Sequence, residues 1–84
     1  MKKVAVISAI LEEPKICQQP FNETVSRFSH LVRGRMGIPF EDHGIAVVSI
    51  VVVGNLDEIN SFTGKLGNIA HVSVKTSISK KELD

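Results

Sequence analysis

The residue types best suited to metal chemistry are three histidines, His30, His43 and His71, and a single cysteine, Cys17. None lies two to four residues from another, so H-x-H, C-x-x-C and H-x-x-x-H pairs do not occur. Each histidine falls near the end of a predicted element, and Cys17 falls on the apolar stripe of a predicted helix. We therefore predict no metal ligand and no cofactor, and a core role for the thiol.

Carboxylates and a glycine-lysine segment are the next candidates for chemistry. The carboxylates occur as adjacent pairs, which are Glu12 with Glu13, Glu41 with Asp42, and Asp57 with Glu58. Adjacent residues do not converge on one point, and the last pair is explained by the dipole of a helix N-terminus. The segment Thr63–Gly67 lacks the glycine spacing of a phosphate-binding loop and closes a helix. We predict a protein that is not an enzyme; a site built between subunits with His43 or Glu41 is the alternative.

The segment Arg33–Pro39 has the clearest potential for binding. Two arginines two residues apart on a strand would share a face and could hold one anionic group. Two glycines allow a ligand or a second backbone to approach closely. The predicted ligand- or partner-binding site comprises Arg33, Gly34, Arg35, Met36, Gly37, Ile38, Pro39 and His43. A bulged edge strand whose arginines discourage aggregation explains the same residues without a ligand.

Hydrophobic periodicity places these residues in a β-α-β-β-α-β chain. The predicted elements are a strand Lys3–Leu11, a helix Ile16–Phe28, a weak strand Leu31–Ile38, a turn Pro39–Gly44, a strand Ile45–Val53, a helix Leu56–Gly67, a strand Val72–Ile78 and a frayed tail Lys80–Asp84. Asn55 followed by Glu58 predicts the cap of the second helix. Pro20 predicts that the first helix begins near Gln19 or is kinked. This order is typical of an α+β ferredoxin-like sandwich, a four-stranded antiparallel sheet with two helices on one face.

Both faces of the two central strands are apolar, although two helices can cover only one. One set comprises Val4, Val6, Ile10, Ile45, Val47, Val51 and Val53, and the opposite set comprises Ala5, Ile7, Ala9, Leu11, Ala46, Val48, Ile50 and Val52. Monomers rarely expose an apolar patch of several hundred Å². We therefore predict a homo-oligomer, a dimer or tetramer formed through the sheet. A tail or loop folded over the sheet is the alternative.

Composition bounds the remaining possibilities. The chain has 84 residues and a formal net charge of +1, which predicts one domain, 1–84, without the positive field that binds a phosphate backbone. Direct nucleic-acid binding by this chain alone is not expected. Apolar runs of about nine residues are too short to cross a membrane, and we find no signal peptide. A single cysteine is typical of a reducing, cytoplasmic location.

The hairpin and the segments after it resemble the family of proposed iron-only hydrogenase system regulators, which are grouped by fold with ACT domains and with the ligand-binding half of the nickel-responsive repressor. The matching stretches are Gly34-Arg35-Met36-Gly37-Ile38-Pro39, Asp57-Glu58-Ile59 leading to Thr63-Gly64-Lys65-Leu66-Gly67, and Val72-Ser73-Val74-Lys75. The resemblance implies an oligomeric, ACT-like regulatory module of a hydrogenase system. The repressor's grouped histidines have no counterpart here, and Pro20 interrupts a helix that is continuous in the family.

The predicted function is a non-enzymatic regulatory domain that senses a small effector or a partner near the Arg33–Pro39 hairpin. Because no DNA-reading segment precedes the first strand, a role in transcriptional regulation would require a partner protein. The alternative is a structural oligomerisation or protein-interaction module without a small ligand.

Overall fold

A computed structural model describes residues 1–83 of the chain. The strands are β1 (Lys3–Leu11), β2 (Val32–Phe40), β3 (Ile45–Gly54) and β4 (Val72–Ile78), and the helices are α1 (Pro14–Arg27) and α2 (Leu56–Gly67). Single 3-10 turns, Ser29–Leu31 and Glu41–His43, precede β2 and β3. In the part of the chain that the structure covers, neither helix is long and apolar enough to cross a membrane.

The four strands form one antiparallel sheet in the order β2-β3-β1-β4. The two most apolar strands, β1 and β3, lie at the centre and pair from Lys3 opposite Gly54 to Leu11 opposite Ala46. Because β1 connects through α1 to β2, and β3 connects through α2 to β4, each helix crosses the sheet on the same side. The predicted ferredoxin-like fold is confirmed.

The core lies between the helices and one face of the sheet. Alternate residues of β1 and β3 are buried there, namely Ala5, Ile7, Ala9, Leu11, Val48, Ile50 and Val52. The helices contribute Cys17, Phe21, Val25, Ile59, Phe62 and Leu66. Cys17 is a buried free thiol, as its place on the apolar stripe predicted.

Helix α1 begins five residues before the predicted start near Gln19. Pro14 occupies the first turn, where its missing N–H has no intrahelical partner to lose and its fixed φ favours the helix. The helix then continues through Pro20, and the Thr24 hydroxyl donates to the Pro20 carbonyl at 3.0 Å. Of the two predicted alternatives, a start near Gln19 is wrong, because the buried stripe of Cys17 and Phe21 holds both sides of Pro20 against the core; the kink at Pro20 stays a prediction.

Strand β2 extends through Pro39 and Phe40, which were predicted to be turn residues. An edge strand pairs on one side only, so it accommodates a residue without an N–H group. Pro39 pairs with Ala46, and the turn narrows to Glu41–Gly44, closed by Gly44 at φ 64°. The predicted bulge is present, because the register shifts between Val32 and Gly34.

Helix α2 has the cap that Asn55 and Glu58 predicted. The Glu58 backbone N–H donates to Asn55 Oδ1 at 2.8 Å, and the Asn55 N–H donates to Glu58 Oε1 at 3.4 Å. This reciprocal pair is a capping box, which satisfies two N–H groups at the helix start.

The tail after β4 is tied to the sheet up to Leu83. The Ser79 N–H donates to the Val4 carbonyl at 2.8 Å, and the Leu83 N–H donates to the Lys2 carbonyl at 2.7 Å. The prediction of a frayed tail is therefore wrong at Leu83, which forms a bridge with Lys2; Asp84 lies outside the described residues.

His71, just before β4, adopts the left-handed conformation with φ 69°. This conformation is unfavourable for a residue with a Cβ atom, whereas glycine adopts it freely. We expect His71→Gly to raise the free energy of unfolding by about 0.5–1 kcal/mol. Urea denaturation measures the change, with His43→Gly as the control, since that substitution only adds chain entropy. A lower stability for His71→Gly than for wild type would contradict the argument.

Candidate functional site

A groove of about 760 Å³ lies where the start of α1 faces the β2–β3 hairpin. Ala46, which is half-buried, and Val48, at the edge of the core, form part of its floor. The helix contributes Glu13, Pro14, Lys15 and Gln18, and the hairpin contributes Arg35, Gly37, Ile38, Pro39 and Glu41 among others. We call this space the hairpin groove.

Arg35 is the best-positioned charged group of the hairpin groove. Its Nη2 atom donates to Asn22 Oδ1 of α1 at 2.7 Å, and its guanidinium carbon lies 5.7 Å from the centroid of the Phe21 ring. Phe21 is fully buried, so the arginine is held between a core aromatic ring and a helix amide. One cation is thereby fixed at the groove while its remaining donors stay available for an anion.

Gly37 leaves open space at the groove. Its partner in the ladder is Val48, whose side chain is on the helix side of the sheet. A Cβ atom built on Gly37 would meet no heavy atom within 4 Å. Glycine is therefore not required here by packing, and a larger side chain at this position would project into the groove.

The predicted site residues divide among three places. Arg35, Gly37, Ile38 and Pro39 line the groove. By register, Gly34 and Met36 lie on the opposite side of the sheet, where they pair with Val51 and Ser49, and Ile38, which pairs with Val47, borders both sides.

Arg33 and His43 lie away from the groove lining. Arg33 falls in the bulge, so strand alternation does not place it on the same face as Arg35. His43 lies in the 3-10 turn at the hairpin end, beside Glu41 and Asp42. Alternation of side chains along a regular strand predicted that Arg33 and Arg35 share one face. The structure does not bring these two arginines together.

Sequence reasoning missed the helix wall of the groove, Glu13, Lys15 and Gln18. The signal was in the topology: in an antiparallel pair the end of β1 lies beside the start of β3, and Leu11 indeed pairs with Ala46. The helix that follows β1 must therefore begin next to the β2–β3 turn. No motif within a single segment contains this relation between the start of α1 and the β2–β3 turn.

The sheet side remote from the helices is the second candidate surface, and we call it the open face. The register aligns its side chains in four rows across the strands: Ile38-Val47-Ile10-Ser73, Met36-Ser49-Ser8-Lys75, Gly34-Val51-Val6-Ser77, and Val53-Val4. Phe40 and Ile45 form one further pair on this side at the hairpin end. Val6, Ile10 and Val51 are 39%, 43% and 36% exposed. Apart from the central Ser8–Ser49 pair, the face is apolar over β1, β2 and β3, and it is polar along β4.

The histidines do not form a cluster. His30 Nε2 lies 3.4 Å from Glu58 Oε2 at the start of α2, His43 is at the hairpin end and His71 precedes β4. Among residues 1–83, no group of three or more His, Cys, Asp or Glu side chains is arranged to hold a metal ion.

Comparisons with known proteins agree with this architecture. The model of the TM1266-like family, described as proposed iron-only hydrogenase system regulators, matches residues 3–76. The solved structure of the uncharacterized protein TM1266 from Thermotoga maritima is similar with a TM-score of 0.90 and 29% identity, over 95% of this chain and 100% of that chain. No curated protein matches the sequence. Because the family model covers most of the 84 residues, this chain belongs to the TM1266-like family of proposed iron-only hydrogenase system regulators.

Proposed function

We propose that this chain is a non-enzymatic regulatory domain that binds a small effector in the hairpin groove. The observation that supports the proposal is the groove itself, in which Arg35 is held in place by Asn22 and Phe21 while Gly37 leaves room beside it. A preformed concave site with an apolar floor and a few fixed polar groups is what small-molecule binding requires. The family's description as regulators agrees with this role.

The walls of the groove indicate the chemistry of the effector. Lys15 and Arg35 supply positive charge, Glu13 and Glu41 supply negative charge, and Ala46, Val48 and Pro39 supply apolar surface. An anionic group placed near Arg35 would form charge-assisted hydrogen bonds, which are stronger than neutral ones. We therefore favour an effector that combines an anionic group with a small apolar part.

A thermal-shift screen of amino acids, nucleotides and divalent metals tests the proposal. A ligand present at 100 times its Kd stabilises the protein by about 2.7 kcal/mol, which corresponds to a rise in Tm of roughly 10–20 °C for a domain of this size. Gly37→Leu should abolish the rise because the new side chain occupies the groove. If no compound raises the Tm at millimolar excess, the protein has no small effector among these classes.

Two matched controls separate ligand binding from general effects. Gly34→Leu makes the same change on the opposite side of the same strand, where a Cβ atom also meets nothing within 4 Å, and should leave the ligand response intact. Arg35→Ala should weaken the response, whereas Arg33→Ala, in the bulge, should not. A response that survives both Gly37→Leu and Arg35→Ala would place the ligand elsewhere.

The second candidate is a structural module that assembles through the open face and has no small ligand. The exposed Val6, Ile10 and Val51 side chains favour it. Arg35→Ala distinguishes the two candidates, because Arg35 lies on the groove side of the sheet and not on the open face. Loss of ligand response in an intact oligomer favours sensing, whereas an oligomer that responds to no ligand in either the wild type or the variant favours assembly. In either case, a role in transcription would be exercised through a partner protein.

A further inference from the structure

We infer that the open face is the self-association surface of this protein, and that two copies pack sheet against sheet about a two-fold axis parallel to the strands. This association does not require a ligand in the hairpin groove.

The open face has no cover within the described chain. Residues 79–83, the segment with the freedom to fold over it, instead pair with the start of β1 through Val4 and Lys2. Val6, Ile10 and Val51 remain exposed in spite of this pairing. An apolar surface of this kind on a small domain is normally buried by association.

The size of the open face is sufficient for a stable pair. Strands about 4.8 Å apart that rise about 3.3 Å per residue give the four rows a flat area of about 500 Å². Two copies would together bury about 1,000 Å² of this flat area, and protruding side chains add to that figure. The total reaches the lower limit expected of specific interfaces. Facing sheets with their strands about 30° apart form a common type of β-sandwich core.

The distribution of charge favours a second copy as the partner. In the four rows Lys75 is the only charged residue, and it lies on the β4 margin; Arg33, in the bulge, is not assigned to a face. No charge would therefore be buried at the centre when two open faces meet. A strongly charged partner would find no complementary group there.

The order of the residues within each row determines which residues of the two copies face each other about a given two-fold axis. With the axis parallel to the strands and between β1 and β3, each β3 residue faces a β1 residue of the other copy in the same row. Val47 then faces Ile10, Val51 faces Val6, and the Ser49 hydroxyl meets the Ser8 hydroxyl, with which it can form a hydrogen bond.

The same axis places β2 opposite β4, so Met36 faces Lys75 of the second copy. An axis perpendicular to the strands through the same row would instead place Lys75 against Lys75 and Met36 against Met36. Like charges facing each other are unfavourable, so the axis parallel to the strands is the consistent arrangement.

Sedimentation equilibrium of wild type and of three variants tests the interface. Wild type should have about twice the 9.2 kDa mass of one chain at micromolar concentration, or a multiple of this dimer. Val51→Lys places an uncompensated charge at the centre and should raise the dissociation constant on the order of 100-fold or more. Met36→Lys, at a 60% exposed position where folding is not at risk, should weaken association by repelling Lys75, whereas Met36→Glu should retain it by pairing with Lys75.

Ser61→Lys on the exposed surface of α2 adds the same charge away from the sheet and should remain associated. A wild-type protein that is monomeric at micromolar concentration would overturn the inference. So would a protein in which both lysine variants of the open face associate as wild type does. Loss of association in both Met36→Lys and Met36→Glu would retain the interface and overturn the proposed axis, because Met36 would then face its own counterpart.

Discussion

Phe62→Ala is expected to lower the free energy of unfolding by about 3–5 kcal/mol, close to the whole stability of many domains of this size. The Phe62 ring is fully buried at the centre of α2. It stacks on Phe28 with ring centroids 4.8 Å apart and planes 22° apart, so its removal leaves a cavity and an unpaired aromatic ring. Chemical denaturation monitored by circular dichroism measures the effect.

Phe40→Ala is the matched control, since it removes the same side chain at the hairpin end, where Phe40 is 46% exposed. We expect a change in protomer stability of less than about 1 kcal/mol. Comparable losses for the two variants would mean that the hairpin end is part of the cooperative core. A loss below 1 kcal/mol for Phe62→Ala would contradict the packing described for α2.

Gly54→Ala is expected to lower the free energy of unfolding by about 1–3 kcal/mol. A Cβ atom on this residue would lie 2.8 Å from Leu31 Cδ2 and 3.5 Å from Glu58 Oε1. Leu31 is itself buried, so its side chain cannot move away without disturbing the packing between the 3-10 turn and the end of β3. Gly34→Ala is the control, because a Cβ atom there meets nothing within 4 Å.

A double-mutant cycle identifies Leu31 as the cause. Leu31→Ala alone should lower stability by about 2–5 kcal/mol, because it vacates a buried position. The double variant should be more stable than the sum of the single effects predicts, by about 0.5–3 kcal/mol, since the added methyl group then fills vacated space. Strict additivity would show that the strain at Gly54 arises from the backbone or from Glu58 instead.

The residues whose substitution should lower stability lie in a different part of the molecule from the residues of the two proposed binding surfaces. Phe62, Gly54 and Leu31 pack at the helix side of β3, whereas Gly37 lines an open groove and Met36 lies on the open face. A Cβ atom at either glycine of β2 meets no heavy atom within 4 Å, so substitutions there probe the groove and the open face and not the core. Loss of ligand response or of association in these variants can therefore be assigned to the surface that was changed.

The two arginines show how a local rule fails at a bulge. Alternation along a regular strand predicts that residues 33 and 35 share a face. The register shift between Val32 and Gly34 removes that relation, and Arg35 alone reaches Asn22 and Phe21. Glycine content predicted an irregular strand, but the position of the extra residue depends on how β2 pairs with β3, which no pattern within β2 contains.

The order of the elements, the capped second helix and the apolar character of both sheet faces follow from the sequence, because each depends on residues close together in the chain. Periods of two and 3.6 residues, the Asn55–Glu58 spacing and the β-branched runs are local properties. The start of α1 at Pro14, the extension of β2 through Pro39 and the hairpin groove were decided by tertiary structure. Each arises where segments distant in the sequence meet. The buried stripe of α1 holds Pro20 in a helix, and an edge position accommodates Pro39. Antiparallel pairing of β1 with β3 places the start of α1 next to the hairpin, so that Lys15 and Gly37 line one groove.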